Sequence, residues 1–301
     1  MTSVGLGKII LLGEHAVVYG YPALAAALDR GVTMNAVPTP AGGSLRIDIP
    51  AWDLKVTASD DHPVAKSLCA IADALGVARP TVTLVGDAQI PPGAGLGSSA
   101  ALAVAVARAL LVHDKRPTDA ARVLDAASAS ETLMHGRASG IDVAFAAQGG
   151  IGVFRRSSGV RPLRGTSLRV LVGPSGTPRS TAAMVDRVAV ETKAVVGDAR
   201  LRELGSLADT GTTSLLGGDL AGLGATMNRA HEILGGLGVS TPQLDALCAS
   251  ACAAGAHGAK LTGAGGGGAV IAIAPRDREK AVLEAWKLAG VTGFVATIGA
   301  P

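Results

Sequence analysis

The chain has 301 residues, 48% hydrophobic and 17% charged, a balance that supports a substantial core and excludes a disordered polymer. Its net charge of +3 is small for this length, and two Trp, two Tyr and three Phe offer few stacking platforms, so composition argues against a nucleic-acid partner. Cys69, Cys248 and Cys252 form no CxxC pair and fit a reducing cytoplasm better than a disulfide framework, and Cys248 and Cys252, four apart in an expected helix, read as small buried hydrophobes.

Residues 4–50 alternate short β-like stretches, KIILL, GVTMNAV and LRIDI, with turn residues, while residues 21–28 are small and apolar; together they read as a sheet edge with its connections. The run IILL, followed at once by Gly13, Glu14 and His15, is too short for a signal-peptide core. Helices are expected around residues 65–75 and 98–113, with TVTLVGD between them as a strand. The apolar run 100–112 is interrupted by Arg108 and falls short of the ~20 residues of a membrane span. Residues 118–135 keep helical spacing, with Thr118, just after Pro117, as the expected cap.

GGIGVFRRSSGVRPLRG then reads as a strand, a basic turn and a return strand, and LRVLVGPSG opens a fresh β pattern. This places a domain boundary near Thr166, giving domains 1–165 and 166–301. Beyond it the expected order is a strand, a long helical region over 181–202 and then 215–234, a helix near 244–254, the strand AVIAIAP, a helix over 276–289 and a last strand, FVATI. Such mixing predicts an α+β second domain.

The stretch PPGAGLGSSA (residues 91–100) precedes the expected helix with three glycines and two serines. A helix starting at Ser98 or Ser99 turns its first amides and the positive end of its dipole toward whatever lies before it. Gly93, Gly95 and Gly97 lack β-carbons, so the backbone can approach an anion closely. On these residues alone, a phosphate loop and a flexible entry to an apolar helix remain equal readings. No GK[ST] follows, so the loop is not a Walker A motif.

Two further stretches shift the balance: GKIILLGEHAVVYG (7–20) and KLTGAGGGGAVIAI (260–273), the latter read as a second glycine loop between a helix and a strand. With PPGAGLGSSAA they resemble the three signature motifs of the GHMP small-molecule kinases, and within them the mevalonate kinase branch. The spacing between motifs, the E-x10-D from Glu131 to Asp142, HGRASGID (135–142), TPRSTAAMV (177–185) and MNRAHEILGGLGVSTPQLDAL (227–247) extend the resemblance over nearly the whole chain.

The resemblance implies an N-terminal ribosomal S5 domain 2-like α/β domain and a C-terminal ferredoxin-like α+β domain, with the active site in the cleft between them. It implies that Pro92, Gly93, Ala94, Gly95, Leu96, Gly97, Ser98 and Ser99 wrap the phosphates of ATP, and that Ser99 and Glu131 hold Mg²⁺. Hydroxyl and carboxylate oxygens suit that hard cation. Asp142 is implied as the base that accepts the hydroxyl proton, and Lys8 as the cation that stabilises the developing alkoxide and the transferring phosphoryl group. Glu14, His15, Ser139, Thr181 and Gly265 correspond to positions near the substrate. The implied reaction is ATP-dependent phosphorylation of the 5-hydroxyl of (R)-mevalonate, by a cytoplasmic homodimer without a membrane or nucleic-acid partner.

The sequence departs from that pattern at Ala138, where proline is common, at Leu102, where animal enzymes carry an aromatic, and at Tyr19, where many have histidine. None of these removes a catalytic group. Phosphomevalonate kinase, homoserine kinase and a sugar kinase are alternatives on the same fold, and a non-catalytic nucleotide sensor is one from another class. GEHAVVYG with HGRASGID favours mevalonate, and the joint presence of Lys8, Ser99, Glu131 and Asp142 disfavours a silent sensor.

Overall fold

The computed structural model describes residues 2–39, 43–77, 81–135, 139–178, 180–193 and 197–299. The chain divides into two compact units: Met1–Gly7, Arg30–Pro92 and Gly97–Gly149 form unit 1, while Lys8–Asp29, Gly93–Leu96 and Gly150–Pro301 form unit 2. Strands β1 (Ser3–Leu12) and β2 (Ala23–Pro38) each contribute residues to both. The 16-residue β2 is longer than the separate stretches expected, because its small run ALAAAL is strand from the first residue.

In unit 1 the second half of β2 shows the period-two pattern of a half-buried strand, with Val32 and Met34 buried and Asn35 exposed. It pairs antiparallel with β5 (Val82–Ala88), which runs parallel to β3 (Arg46–Ile49), itself paired antiparallel with β4 (Leu54–Thr57). Among the described residues of the unit, the α-helices are α1 (Pro63–Leu75), α2 (Ser98–His113), α3 (Ala120–His135) and α4 (Ile141–Gln148).

Helix α1 starts where His62 Nδ1 accepts the Val64 amide at 3.1 Å and stops at left-handed Gly76. Helix α2, apolar on every side, is surrounded by the rest of the unit, as a helix without a polar face must be. A β-carbon on Gly5 would come within 1.9 Å of the Ala101 carbonyl oxygen, so glycine there lets β1 lie against α2. Arg108, the one charge in the apolar run, donates to the carbonyls of Val4 and Ala147 at 2.5 and 2.7 Å.

Two expectations for this unit are corrected. The cap of α3 is Asp119, whose carboxylate accepts the Ala121 amide at 3.3 Å, one residue beyond Thr118. Asp142 lies in the first turn of α4, a helix not expected from the sequence, behind the left-handed Gly140.

In unit 2 the hairpin of β6 (Ile151–Arg155) and β7 (Gly159–Pro162) forms as expected and pairs with the first half of β2, Leu24 opposite Val153. A four-stranded antiparallel sheet runs in the order β11 (Phe294–Ile298), β8 (Leu168–Pro174), β10 (Ala269–Ile273) and β9 (Gly258–Thr262). Strand β9 corrects the reading of GAGGGG as a helix-to-strand connection, since that loop joins two paired strands.

The long helical region resolves into α5 (Thr181–Glu191) and α6 (Ala199–Leu216), residues 194–196 lying outside the described set. Asp198 starts α6 by accepting the Arg200 amide. The helix expected from residue 215 begins at 220 as α7 (Leu220–Gly236), because Gly217 ends α6, Gly218 turns left-handed and Asp219 caps the new start. Helices α8 (Pro242–Ala253) and α9 (Glu279–Leu288) follow. No helix among the described residues is long and apolar enough to cross a membrane.

Trp286 of α9 anchors this unit. Its ring is fully buried, its indole N–H donates to the Leu247 carbonyl at 3.0 Å, and β-carbons on Gly173 and Gly293 would press on it at 3.0 and 2.7 Å. Trp286→Ala is expected to cost about 3–5 kcal/mol through the cavity it leaves, read as a lowered urea midpoint.

Candidate active site

The glycine loop before α2 has the backbone that its composition implies. Gly93, Gly95 and Gly97 have φ of 71°, 76° and 73°, a left-handed region that residues with a β-carbon avoid. Leu96 between them is fully buried and fixes the loop as a hydrophobic peg. A β-carbon on Gly93 would meet no protein atom within 4 Å, so this glycine faces open space. Helix α2 begins at Ser98 with no side-chain cap, and helix geometry aims the amides of its first turn away from intrahelical acceptors.

Within unit 2, Lys8 is bound to this loop twice. Its amide donates to the Leu96 carbonyl at 2.8 Å, and its ammonium reaches the Gly95 carbonyl at 3.4 Å. Lys8 is 2% exposed, so the side chain is held rather than waving in solvent.

Beside the helix start, unit 1 contains a cleft of about 220 Å³. Ser98, Ser99 and Ser130 supply its polar wall; Trp52, Leu54, Val64, Leu102 and Met134 supply the apolar one. The Trp52 indole N–H is satisfied by the Ile90 carbonyl at 2.9 Å, which seats the ring just ahead of Pro91 and Pro92. The sequence reading missed Trp52, because a lone tryptophan 40 or so residues before the loop carries no local signal. Leu102, singled out as a departure, is part of this lining.

Glu131 is 2% exposed in α3, next to Ser130, whose hydroxyl is bonded to Ser67 across to α1 at 2.5 Å. A carboxylate carried on a helix this well packed cannot swing far. Among the described residues no three His, Cys, Asp or Glu side chains are grouped to hold a metal. The Ser99 hydroxyl and Glu131 carboxylate are oxygen donors of the kind Mg²⁺ takes, a hard cation that accepts one or two protein oxygens and keeps much of its water.

Asp142 stands in the first turn of α4, where the helix dipole favours a carboxylate. Ser139 sits just before it, its hydroxyl 3.4 Å from the Ile141 amide. Ala138, with Gly136 and Arg137, lies outside the described residues.

The remaining predicted positions belong to unit 2. Glu14 and His15 form the turn after β1. Glu14 is 1% exposed and ion-paired to Lys260, while the His15 Nε2–H donates to the Ala264 carbonyl at 2.9 Å. Lys260, in the middle of β9, was missed as a functional candidate because its partner is 246 residues away. Gly265 has φ of 80°, and a β-carbon there would strike the Val239 carbonyl oxygen at 2.1 Å, so packing alone accounts for this glycine. Thr181 is the first residue of α5 and is exposed.

A larger cavity, about 410 Å³, lies in unit 2 among His231, Asp245, Cys248 and Cys252. Burial pushes the Cys248 and Cys252 thiols up, favouring the protonated form, and, with the Lys260 charge, pulls the His231 imidazole down. The three cysteines are free thiols; of the two expected to be buried, Cys248 is and Cys252 is half-buried.

The model of the GHMP kinases N terminal domain matches residues 62–150, and that of the GHMP kinases C terminal domain matches residues 212–292. The mevalonate kinase of Thermococcus sibiricus is 36% identical over 97% of this chain and 94% of that protein. The chain belongs to the GHMP kinases.

Within this family, the mevalonate kinase of Pyrococcus horikoshii is 35% identical to this GHMP kinase, covering 94% of the chain and 91% of its own length. Among solved structures, that of L. major mevalonate kinase in complex with R-mevalonate superposes with a TM-score of 0.87 at 26% identity, covering 99% of this chain and 95% of that one. The Methanococcus jannaschii mevalonate kinase gives 0.85 at 25% identity, covering 100% and 98%. The α+β GHMP kinase fold expected from the sequence is therefore the fold of this chain.

Proposed function

We propose that this GHMP kinase transfers the γ-phosphoryl group of ATP to the 5-hydroxyl of (R)-mevalonate, yielding 5-phosphomevalonate and ADP. One observation carries the chemistry: a buried lysine bonded by main chain and side chain to a loop of left-handed glycines that opens an uncapped helix. The substrate follows from near full-length identity to mevalonate kinases.

In this reading the loop Gly93–Ser99 receives the phosphates and the cleft lined by Trp52, Leu102 and Met134 takes the nucleoside, base against ring and aliphatic side chains. Phosphoryl transfer through a loose transition state asks for positioning and charge neutralisation more than covalent help. Lys8 neutralises the equatorial oxygens of the transferring group, and Asp142 orients the attacking hydroxyl and takes its proton. Ser99 and Glu131 would hold Mg²⁺, which would supply charge neutralisation for the phosphates. His15, Glu14, Ser139 and Thr181 shape the substrate side. The active form is a homodimer in the cytoplasm.

The test is a coupled ADP-release assay of the purified chain with mevalonate, phosphomevalonate, homoserine and galactose side by side. The highest kcat/KM is expected for mevalonate; a higher value for another substrate moves the enzyme to that branch, and nucleotide binding without turnover on any makes it a sensor. Glu131→Gln is expected to raise the Mg²⁺ concentration for half-maximal rate by about tenfold, the equivalent of ~1.4 kcal/mol in metal affinity. An unchanged Mg²⁺ titration would remove Glu131 from the metal site.

A further inference from the structure

All five residues of β9 are buried, and the central one is a lysine. Lys260 is 0% and its partner Glu14 1% exposed, and the Lys260 ammonium also donates to the Leu261 carbonyl at 2.6 Å. Replacing such a buried pair by apolar side chains of similar volume is often neutral or stabilising, so stability alone does not account for two charges here.

What surrounds the pair suggests its use. Thr262, two residues along β9, clasps β1 by accepting the Ile10 amide at 2.9 Å and donating to the Ile10 carbonyl at 3.0 Å. Ala264, two residues further, accepts from the His15 ring. Lys260, Thr262 and Ala264 thus seize Glu14, Ile10 and His15 in turn. His15 itself has φ of 59°, a left-handed backbone that a residue with a β-carbon holds only when its surroundings enforce it. Burial raises the Glu14 carboxyl and lowers the Lys260 ammonium, and Lys8 lies close enough to act on both.

We propose that Lys260 is a positioning residue: through its buried ion pair with Glu14 it holds the Gly13–His15 turn, and with it His15, in the conformation that binds the acceptor substrate. Glu14 then acts through Lys260 rather than as a direct substrate ligand. The inference deepens the mevalonate kinase reading and rests on it for the identity of the acceptor.

Lys260→Met alone would leave the Glu14 carboxylate buried without its cation, and that variant is not a clean test because it can fail to fold. The double variant Glu14→Leu/Lys260→Met removes both charges. It is expected to melt within a few degrees of the parent, with KM for mevalonate raised about tenfold or more and KM for ATP changed by less than about twofold, tenfold corresponding to ~1.4 kcal/mol. Nitrogen-15 spectra of the His15 ring supply a readout independent of turnover. The parent should show the Nε2–H tautomer that bonds Ala264, and the double variant an exchange-averaged ring. A folded double variant with parental KM and a parental His15 spectrum would overturn the proposal. If the parent does not phosphorylate mevalonate, the functional reading fails, and the His15 spectrum decides the inference: averaged in the variant supports it, parental overturns it.

Discussion

Asp142→Asn will lower kcat by about 10²- to 10⁴-fold, the range that positioned acid–base groups contribute. The substitution keeps size and shape and removes the negative charge and the ability to take a proton. Helix α4 keeps its buried Ile141, Val143 and Phe145 in this variant. The glycine loop and the cleft beside Trp52 are untouched, so ATP affinity, measured by nucleotide fluorescence titration, should stay within about twofold of the parent. A variant that binds ATP and has lost turnover places Asp142 in the chemical step. Near-parental kcat would take it out of the mechanism.

Lys8→Met should be comparably severe, lowering kcat/KM by about 10²- to 10³-fold, as expected when a preorganised charge is removed from a site where negative charge develops. Methionine keeps the aliphatic stem, and the bond that docks the loop, from the Lys8 amide to Leu96, is made by main chain and survives. Glu14 keeps Lys260 as its ion-pair partner in this variant. The melting temperature should therefore hold while activity falls. A drop in both would mean that Lys8 acts mainly by holding the loop, and that result would be read from thermal melts run beside the kinetics.

Those two residues also show what the sequence could and could not reveal. Helix α2 was legible to the residue, Ser98 to His113, because a glycine-rich entry and a small apolar run broken by one charge, Arg108, leave no competing period. The β6–β7 hairpin was legible because its polar turn RSSG separates two apolar stretches. Strand β9 was not, since Lys260 breaks the apolar pattern that marks a buried strand, and the charge that excuses it sits on Glu14 at the other end of the chain. The break between α6 and α7 was hidden by helical spacing that continues across Gly217 and Gly218, where backbone freedom and the Asp219 cap outweigh periodicity. The glycine loop and Lys8 were readable as motifs. The cleft of Trp52, Leu102 and Met134 was not, because only folding assembles residues so far apart.

The central claim is a transfer to one particular oxygen, and proton-coupled phosphorus NMR of the product reads that oxygen directly. Incubation with ATP, Mg²⁺ and mevalonate should yield a monoester resonance split into a triplet by the methylene protons at carbon 5. An unsplit ester resonance, the signature of phosphate on the tertiary hydroxyl at carbon 3, or no new ester at all, would contradict it.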